Sequence, residues 1–514
     1  MYGQQVRARL LIPCTLLLVY LYSFPYFDQL KSANELPRIF LTTEIIDRGT
    51  FRIDARYREL GSTFDVSTTP DGHRYSNKAP GLSFLALPSY LVLKGWHAVV
   101  GGEPSIRELT WMFRVTAVTV PAVLFLPFFL ALARRFAPGC EPAQRTALVA
   151  YALGSMAMPY AILLFSHQVA AAFAGASFAC AVTLVREHVA RRNRWAVAVG
   201  ALAGASVLVD YQSALAGLAI GVYLLLRSRR RWVDAAWAAA GALPSAILLM
   251  IYHAACFGSP LKTGYSYAAD AAHTEGVLGI IGPNREAMFN ATLAPDNGLI
   301  TLTPWVLLAV VGGYYALRDR EARERIGAEA ITCAAIALVY VLFVGSLVPE
   351  FGRAGWSVGP RYIAVAMPFF GWLAAAGFAA IDRNEIARGA SQALVWVGVI
   401  VFVTAAATFP HWPTPNFTNP IHEVALRLIA NGNAPHSLGT AVGLPGIAAM
   451  LPLLLGVAAV AGWWMAGRDR RRWIVTVIAA LVAAGIIAGY GAFPRTGGAA
   501  ATRGWEFIQD IWQP

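Results

Sequence analysis

The side chains of this sequence that could do chemistry collect in a few short stretches. The first is Asn34-Glu35-Leu36-Pro37-Arg38. A second runs from Asp65 through Asp71 and His73 to Tyr75-Ser76-Asn77-Lys78-Ala79-Pro80-Gly81. Ser166-His167-Gln168 and Asp210-Tyr211-Gln212 follow, then Phe257 to Tyr265, and finally Glu350 to Arg353 leading to Gly359-Pro360-Arg361-Tyr362. A carboxylate among them can act as general base on a hydroxyl or amine, with Glu35 the first candidate and Asp65 the second. Arg38, Lys78 and Arg361 suit a phosphate, lysine as a point charge and arginine as a bidentate fork. Tyr75, Tyr265 and Trp356 suit flat or apolar groups. Plainer readings exist for each. Glu35 could cap a helix beginning near Pro37. Lys78 could snorkel at an interface. His167 and Asp210 could be satisfied at helix ends, and His253 in the core.

The elements that hold these residues are apolar. Of the 514 residues, 57% are hydrophobic and 14% charged, where a soluble surface needs roughly 25%. Apolar runs cover 8–26, 83–99, 110–134, 146–162, 167–186, 195–210, 212–227, 232–256, 298–317, 328–348, 361–381, 391–409, 446–467 and 473–492. The run 8–26 follows Arg7 and Arg9 and lacks a small-residue cleavage site, so it reads as a retained signal anchor with the N-terminus inside. Arginine clusters such as Arg227–Arg231 and Arg468–Arg472 lie between runs. All of them fall on the inside only if one early run does not cross. The run to remove is 83–99, which is short and holds Pro88, Lys94 and His97. It is expected to lie along the outer face as an interfacial helix.

These constraints predict an all-α polytopic membrane protein forming one integral membrane domain over 1–514. About thirteen transmembrane helices follow, the fourteen runs less one. Three longer outer segments remain: 27–109, 257–297 and 410–445. No internal repeat is visible. The net charge of +12 is then a matter of orientation, and nucleic acid is not expected as a partner. The five cysteines form no CxxC pair, so neither a zinc site nor a disulfide framework is indicated. Asn290-Ala291-Thr292 and Asn416-Phe417-Thr418 match the N-glycosylation pattern, which carries no meaning in a bacterial chain.

In this setting the stretches resemble those of the GT-C class of polyprenyl-phosphate-sugar glycosyltransferases, the family-39-like group that includes protein O-mannosyltransferases and the lipid A aminoarabinose transferase. Asn34-Glu35-Leu36-Pro37-Arg38 stands where that family has an acidic pair followed by Arg-Tyr. Tyr75-Ser76-Asn77-Lys78-Ala79-Pro80-Gly81-Leu82 is similar to its aromatic-x-x-Lys-Pro-Pro-Leu motif. His167 stands where the family often has an aspartate. The likeness is best over roughly the first two hundred residues. It implies transfer of a sugar from a polyprenyl-phosphate donor to a lipid, glycan or protein acceptor on the extracytoplasmic face of the cell membrane, among membrane lipids. Glu35 or Asp65 would be catalytic. Asn34, Arg38, Tyr75, Lys78, His167, Asp210, Tyr265, Arg361 and Tyr362 would bind substrate. The family often uses a divalent metal ion, but no ligand cluster has diagnostic spacing here and no other cofactor is implied. Two other readings fit the composition: a transporter or flippase of lipid-linked sugars, and a family member that binds without catalysis.

Overall fold

The computed structural model describes residues 2–22, 32–268, 275–277, 279–349, 356–412, 416–432, 437–466 and 469–511, with side chains at the chain ends from Leu11 to Gln509. The stretch from Glu350 to Arg353 lies outside them. Among the described residues, each apolar run of the sequence is mainly helical. Among the described residues, 8 helices are long and apolar enough to cross a membrane: Ile106–Phe136, Ser166–Arg186, Arg231–Phe257, Arg320–Val344, Arg361–Ile381, Glu385–Ala407, Gly446–Met465 and Arg470–Ala492. Runs 8–26, 195–210 and 212–227 form the helices Tyr2–Tyr22, Arg192–Val209 and Ala214–Arg227.

Two expected spans are broken helices. Run 146–162 divides into Glu141–Ala152 and Ala157–Tyr160. Run 298–317 divides into Leu299–Leu302, Pro304–Val306 and Leu307–Arg318. Gly154 and Pro304 lie at the breaks, where one residue is flexible and the other lacks an amide hydrogen. The breaks satisfy each other. Trp305 Nε1 donates to the carbonyl of Gly154 at 2.6 Å, replacing a helical bond that apolar surroundings would not supply.

Helix pairs close through glycine. A Cβ on Gly200 would sit 1.6 Å from the carbonyl oxygen of Ala238, and one on Gly241 2.2 Å from that of Val197. Arg192–Val209 and Arg231–Phe257 therefore pack backbone to backbone. Gly312 and Gly377 do the same for Leu307–Arg318 and Met367–Ile381. Small residues at such seams let dispersion contacts hold helices together where lipid removes the hydrophobic drive.

The run 83–99, expected to be interfacial, falls within helix Gly81–Val100. That helix packs on Leu36–Arg48 through buried Leu82, Ala86 and Tyr90, and exposes Leu91, Val92, Trp96 and Val99. The all-α expectation needs one correction. Strands Val66–Thr68 and Arg74–Ser76 pair antiparallel, with Ser67 opposite Tyr75. Thr, Val and Tyr alternate across a turn whose Gly72 has φ +83°, a short hairpin masked in the sequence by the many charged residues around it.

Arginines mark one end of the bundle. Arg186 closes one helix, Arg192 opens the next, and Arg227 and Arg231 flank the following turn. Two buried carboxylates anchor that end. Arg186 holds Glu329 at 2.6 Å, with Tyr223 donating to the same carboxylate at 2.7 Å. Arg192 holds Asp234 at 2.6 Å.

Candidate active site

The other end of the same helices carries the polar stretches. His167 lies in the first turn of Ser166–Arg186, and Asp210 directly follows Arg192–Val209. At about 1.5 Å per residue the 21-residue helix puts His167 roughly 30 Å from Arg186. Arg361 opens its helix after Gly359, whose φ of +73° lies in the left-handed region that favours glycine.

Lys78 is delivered by the hairpin. Strand Arg74–Ser76 ends beside it, and the Lys78 amide donates to Ser76 Oγ at 3.2 Å. Pro80 and Gly81 then start the next helix. A Cβ on Gly81 would lie 2.5 Å from the carbonyl oxygen of Leu208, so this position presses directly onto the chain leading into Asp210. Gly264 is equally confined: its Cβ would meet Asn77 Cα at 2.8 Å and Ser67 Oγ at 2.9 Å. Ser67 Oγ donates to its carbonyl at 2.6 Å. That clamp carries Tyr265 over the site.

The result is a small cavity of about 20 Å³ lined by Asn34, Arg38, Lys78, His167, Asp210, Tyr265, Arg361 and Tyr362, together with Ser166 and Tyr211. Eight of the eleven candidate residues thus meet, from chain segments as far apart as Asn34 and Tyr362. Within it, Arg38 donates to both the backbone and the side-chain oxygen of Asn34. It also donates to Ser166 Oγ at 3.2 Å. Ser166 Oγ donates to Asp210 Oδ2 at 3.1 Å, and His167 Nδ1 lies 2.7 Å from the same oxygen. Gln212 Nε2 reaches that carboxylate at 3.4 Å. The Arg361 guanidinium covers the Tyr362 ring at 5.1 Å, and Tyr362 in turn meets the His167 ring edge-on at 5.7 Å. Burial pushes the Tyr265 phenol well above its usual range, which keeps it a hydroxyl donor.

Three candidates do not line the cavity. Tyr75 is buried against Phe257, ring to ring at 5.8 Å. Asp65 stands just behind Lys78, its Oδ1 3.0 Å from Nζ. Burial alone would raise the Asp65 carboxyl, but Lys78, Arg361 and Arg38 outweigh it and hold it below the usual range. Glu35 lies within the protein, fully buried. Arg114 grips it through Nε at 2.7 Å and Nη2 at 2.8 Å. The Leu164 amide donates to it at 2.8 Å, and His411 Nε2 is 3.2 Å away. Burial raises its pKa, but Arg114 and His411 more than reverse this. It makes no side-chain cap to its helix. The carboxylate expected first as base is therefore an ion-pair anchor set apart from the cavity. Trp356 also lies elsewhere, 4.0 Å from the Phe507 ring.

The sequence pointed to neither Arg114 nor His411, because pairing across 79 positions leaves no local pattern. Tyr211 had a signal, its place in Asp210-Tyr211-Gln212, but nothing set it above its neighbours. Among the described residues no group of three or more His, Cys, Asp and Glu side chains converges as metal ligands. The cavity brings three cations and one carboxylate together, a donor set that does not fit a divalent cation.

Beside the polar cavity runs a larger, apolar groove of about 330 Å³. Ala214, Leu215, Ile280, Phe343 and Leu347 form its walls. Asp210, Tyr211, Tyr265 and Tyr362 belong to both spaces.

No family model matches the chain, and no curated protein matches it. Solved structures do. ArnT from Cupriavidus metallidurans bound to undecaprenyl phosphate aligns with TM-score 0.54 and 15% identity, covering 99% of this chain and 78% of that one. The same protein in the apo state aligns at TM-score 0.49 and 17% identity, over the same shares. The archaeal oligosaccharyltransferase AglB from Archaeoglobus fulgidus aligns at TM-score 0.45 and 11% identity, covering 79% of this chain and 55% of that one. By its ArnT-like architecture, the chain has a GT-C-like fold.

Proposed function

We propose that this protein is a membrane glycosyltransferase that takes a sugar from a polyprenyl-phosphate donor. One observation carries the reading: a cavity lined by three cations adjoins an apolar groove, with Asp210, Tyr211, Tyr265 and Tyr362 as the shared wall. A phosphate with one charged head and one long hydrocarbon tail matches both halves. Lys78, Arg38 and Arg361 would hold the phosphate as point charge and forks. The groove would take the first isoprene units, whose burial contributes about 0.8 kcal/mol per CH₂. Asp65 would fix the Lys78 ammonium, and Asn34 the Arg38 fork. Undecaprenyl phosphate in the related ArnT structure supports the same ligand class.

The acceptor would be a lipid, glycan or protein hydroxyl or amine attacking from the face opposite the leaving phosphate, with inversion at the anomeric carbon. The arginine-marked end of the bundle supports an extracytoplasmic position for the cavity. A divalent metal is not needed to neutralise the phosphate where three cations already face it.

The test is binding of undecaprenyl phosphate to the purified full chain in nanodiscs. Lys78→Ala and Arg361→Ala are each expected to weaken it about 10- to 100-fold, the range for losing one charged hydrogen bond. Wild-type affinity in both variants would overturn the assignment. Vesicle flux of a lipid-linked sugar, with no polyprenyl phosphate released, would favour a flippase instead.

A further inference from the structure

We propose that His167 is the catalytic base of this transfer and that Asp210 positions it, an inference that rests on the transferase reading above. The two carboxylates that sequence suggests for the role are both engaged elsewhere, Glu35 by Arg114 and Asp65 by Lys78. Of the cavity-lining groups that can take up a proton, His167 and Asp210 remain. The Asp210 Oδ2 already faces three donors, His167 Nδ1 at 2.7 Å, Ser166 Oγ at 3.1 Å and Gln212 Nε2 at 3.4 Å. The bond to a carboxylate places the imidazole proton on Nδ1 and leaves the lone pair on Nε2.

That Nε2 is the informative atom. His167 is 4% exposed, and its Nε2 is buried with no hydrogen-bond partner among the described residues. Buried acceptors are normally satisfied, and an exception within a cavity invites a partner from the ligand. The ring is also fixed. Tyr160 and Tyr362 each meet it edge-on with centroids 5.7 Å away, and Phe165 does so at 6.3 Å. An oriented imidazole with its far nitrogen tied to a carboxylate is the arrangement by which histidine takes a proton from a hydroxyl. Arg38 joins this pair through Ser166, so the cation assigned to the phosphate and the base share one hydrogen-bonded chain.

The step balances without any further reagent. The acceptor O–H gives its proton to His167 Nε2, and its oxygen forms the bond to the anomeric carbon. The bond from that carbon to the phosphate oxygen breaks, and its electron pair leaves with polyprenyl phosphate. Asp210 stabilises the imidazolium until the proton passes to solvent.

The experiment measures release of polyprenyl phosphate by the full chain from synthetic polyprenyl-phosphate-linked pentoses and hexoses, with water or a simple alcohol as acceptor. Binding of undecaprenyl phosphate is measured in parallel. His167→Ala is expected to lower release about 10²- to 10³-fold, the usual share of general base catalysis, while binding changes by less than about 3-fold. Added imidazole should restore part of the rate by filling the space left. Asp210→Asn, which offers Nδ1 an amide in place of a carboxylate, should lower the rate about 100-fold or more. Wild-type turnover in His167→Ala overturns the assignment. So does a loss that imidazole does not repair and that comes with lost lipid binding, or abolition by Asp65→Asn with His167→Ala unaffected. If the wild type neither binds undecaprenyl phosphate nor releases it, the transferase reading itself fails and the base with it.

Discussion

Glu35 shows how a residue can be conspicuous in sequence while its surroundings are not. Its position before Pro37 and Arg38 suggested catalysis, and its type was right for a base. What the sequence could not carry was the partner. Arg114 lies on another helix and His411 far along the chain, and only folding brings them within 3.2 Å. A carboxylate bonded twice by one guanidinium and once by a backbone amide is a poor proton acceptor and a strong anchor. Glu35→Gln would take away the carboxylate that faces the buried Arg114 guanidinium, at a cost of about 3–5 kcal/mol. The expected outcome is a clear drop in thermal unfolding temperature in detergent, with most of it recovered in Glu35→Gln/Arg114→Met. A Glu35→Gln protein as stable as wild type would show that the pair contributes nothing. Lys78, His167 and Arg361, which line one cavity, were easier to single out, because each sits at a helix mouth marked by a local breaker or a change from polar to apolar residues.

Elements were legible where hydropathy is continuous and illegible where backbone approach decides. The long apolar runs became helices with nearly the expected ends. The breaks near Gly154 and Pro304 and the hairpin before Lys78 were missed, since each depends on tertiary partners such as Trp305 and Gly264. Gly81 illustrates the point. In sequence it only follows a proline; in the fold it lets the start of one helix press onto Leu208. Gly81→Ala must push that contact apart, moving Lys78 away from Asp210. A shift of about 1 Å at a reacting site costs up to roughly 100-fold, so donor turnover should fall about 10-fold or more while folding survives. Gly95, in the same helix, has nothing within 4 Å of its would-be Cβ. Gly95→Ala is the control and should leave turnover unchanged and helix stability equal or slightly higher. Equal turnover in the two variants would remove the seam from the argument.

For the whole molecule, composition already settled that the chain lives among lipids, and the arginine pattern gives an expectation for which end of the bundle faces inside. The number of crossings is a harder matter. Eight helices among the described residues meet the length and apolarity of a span, while several of the thirteen expected crossings are short or broken helices. Orientation can be tested without deciding the number. Arg229 is exposed beside the Arg227–Arg231 cluster, and Asp71 is exposed at the hairpin turn next to the site. Helix Arg231–Phe257, with 27 residues and hence about 40 Å, connects the arginine end to the loop that carries Tyr265. With Cys14 and Cys140, the two cysteines that are not buried, changed to serine, Asp71→Cys should react with a membrane-impermeant maleimide in intact cells. Arg229→Cys should react only after permeabilisation, because lysine and arginine are retained on the cytoplasmic side. The reverse pattern would place the cation-lined cavity on the cytoplasmic face, and the acceptor would then have to be sought among cytoplasmic lipids and glycans.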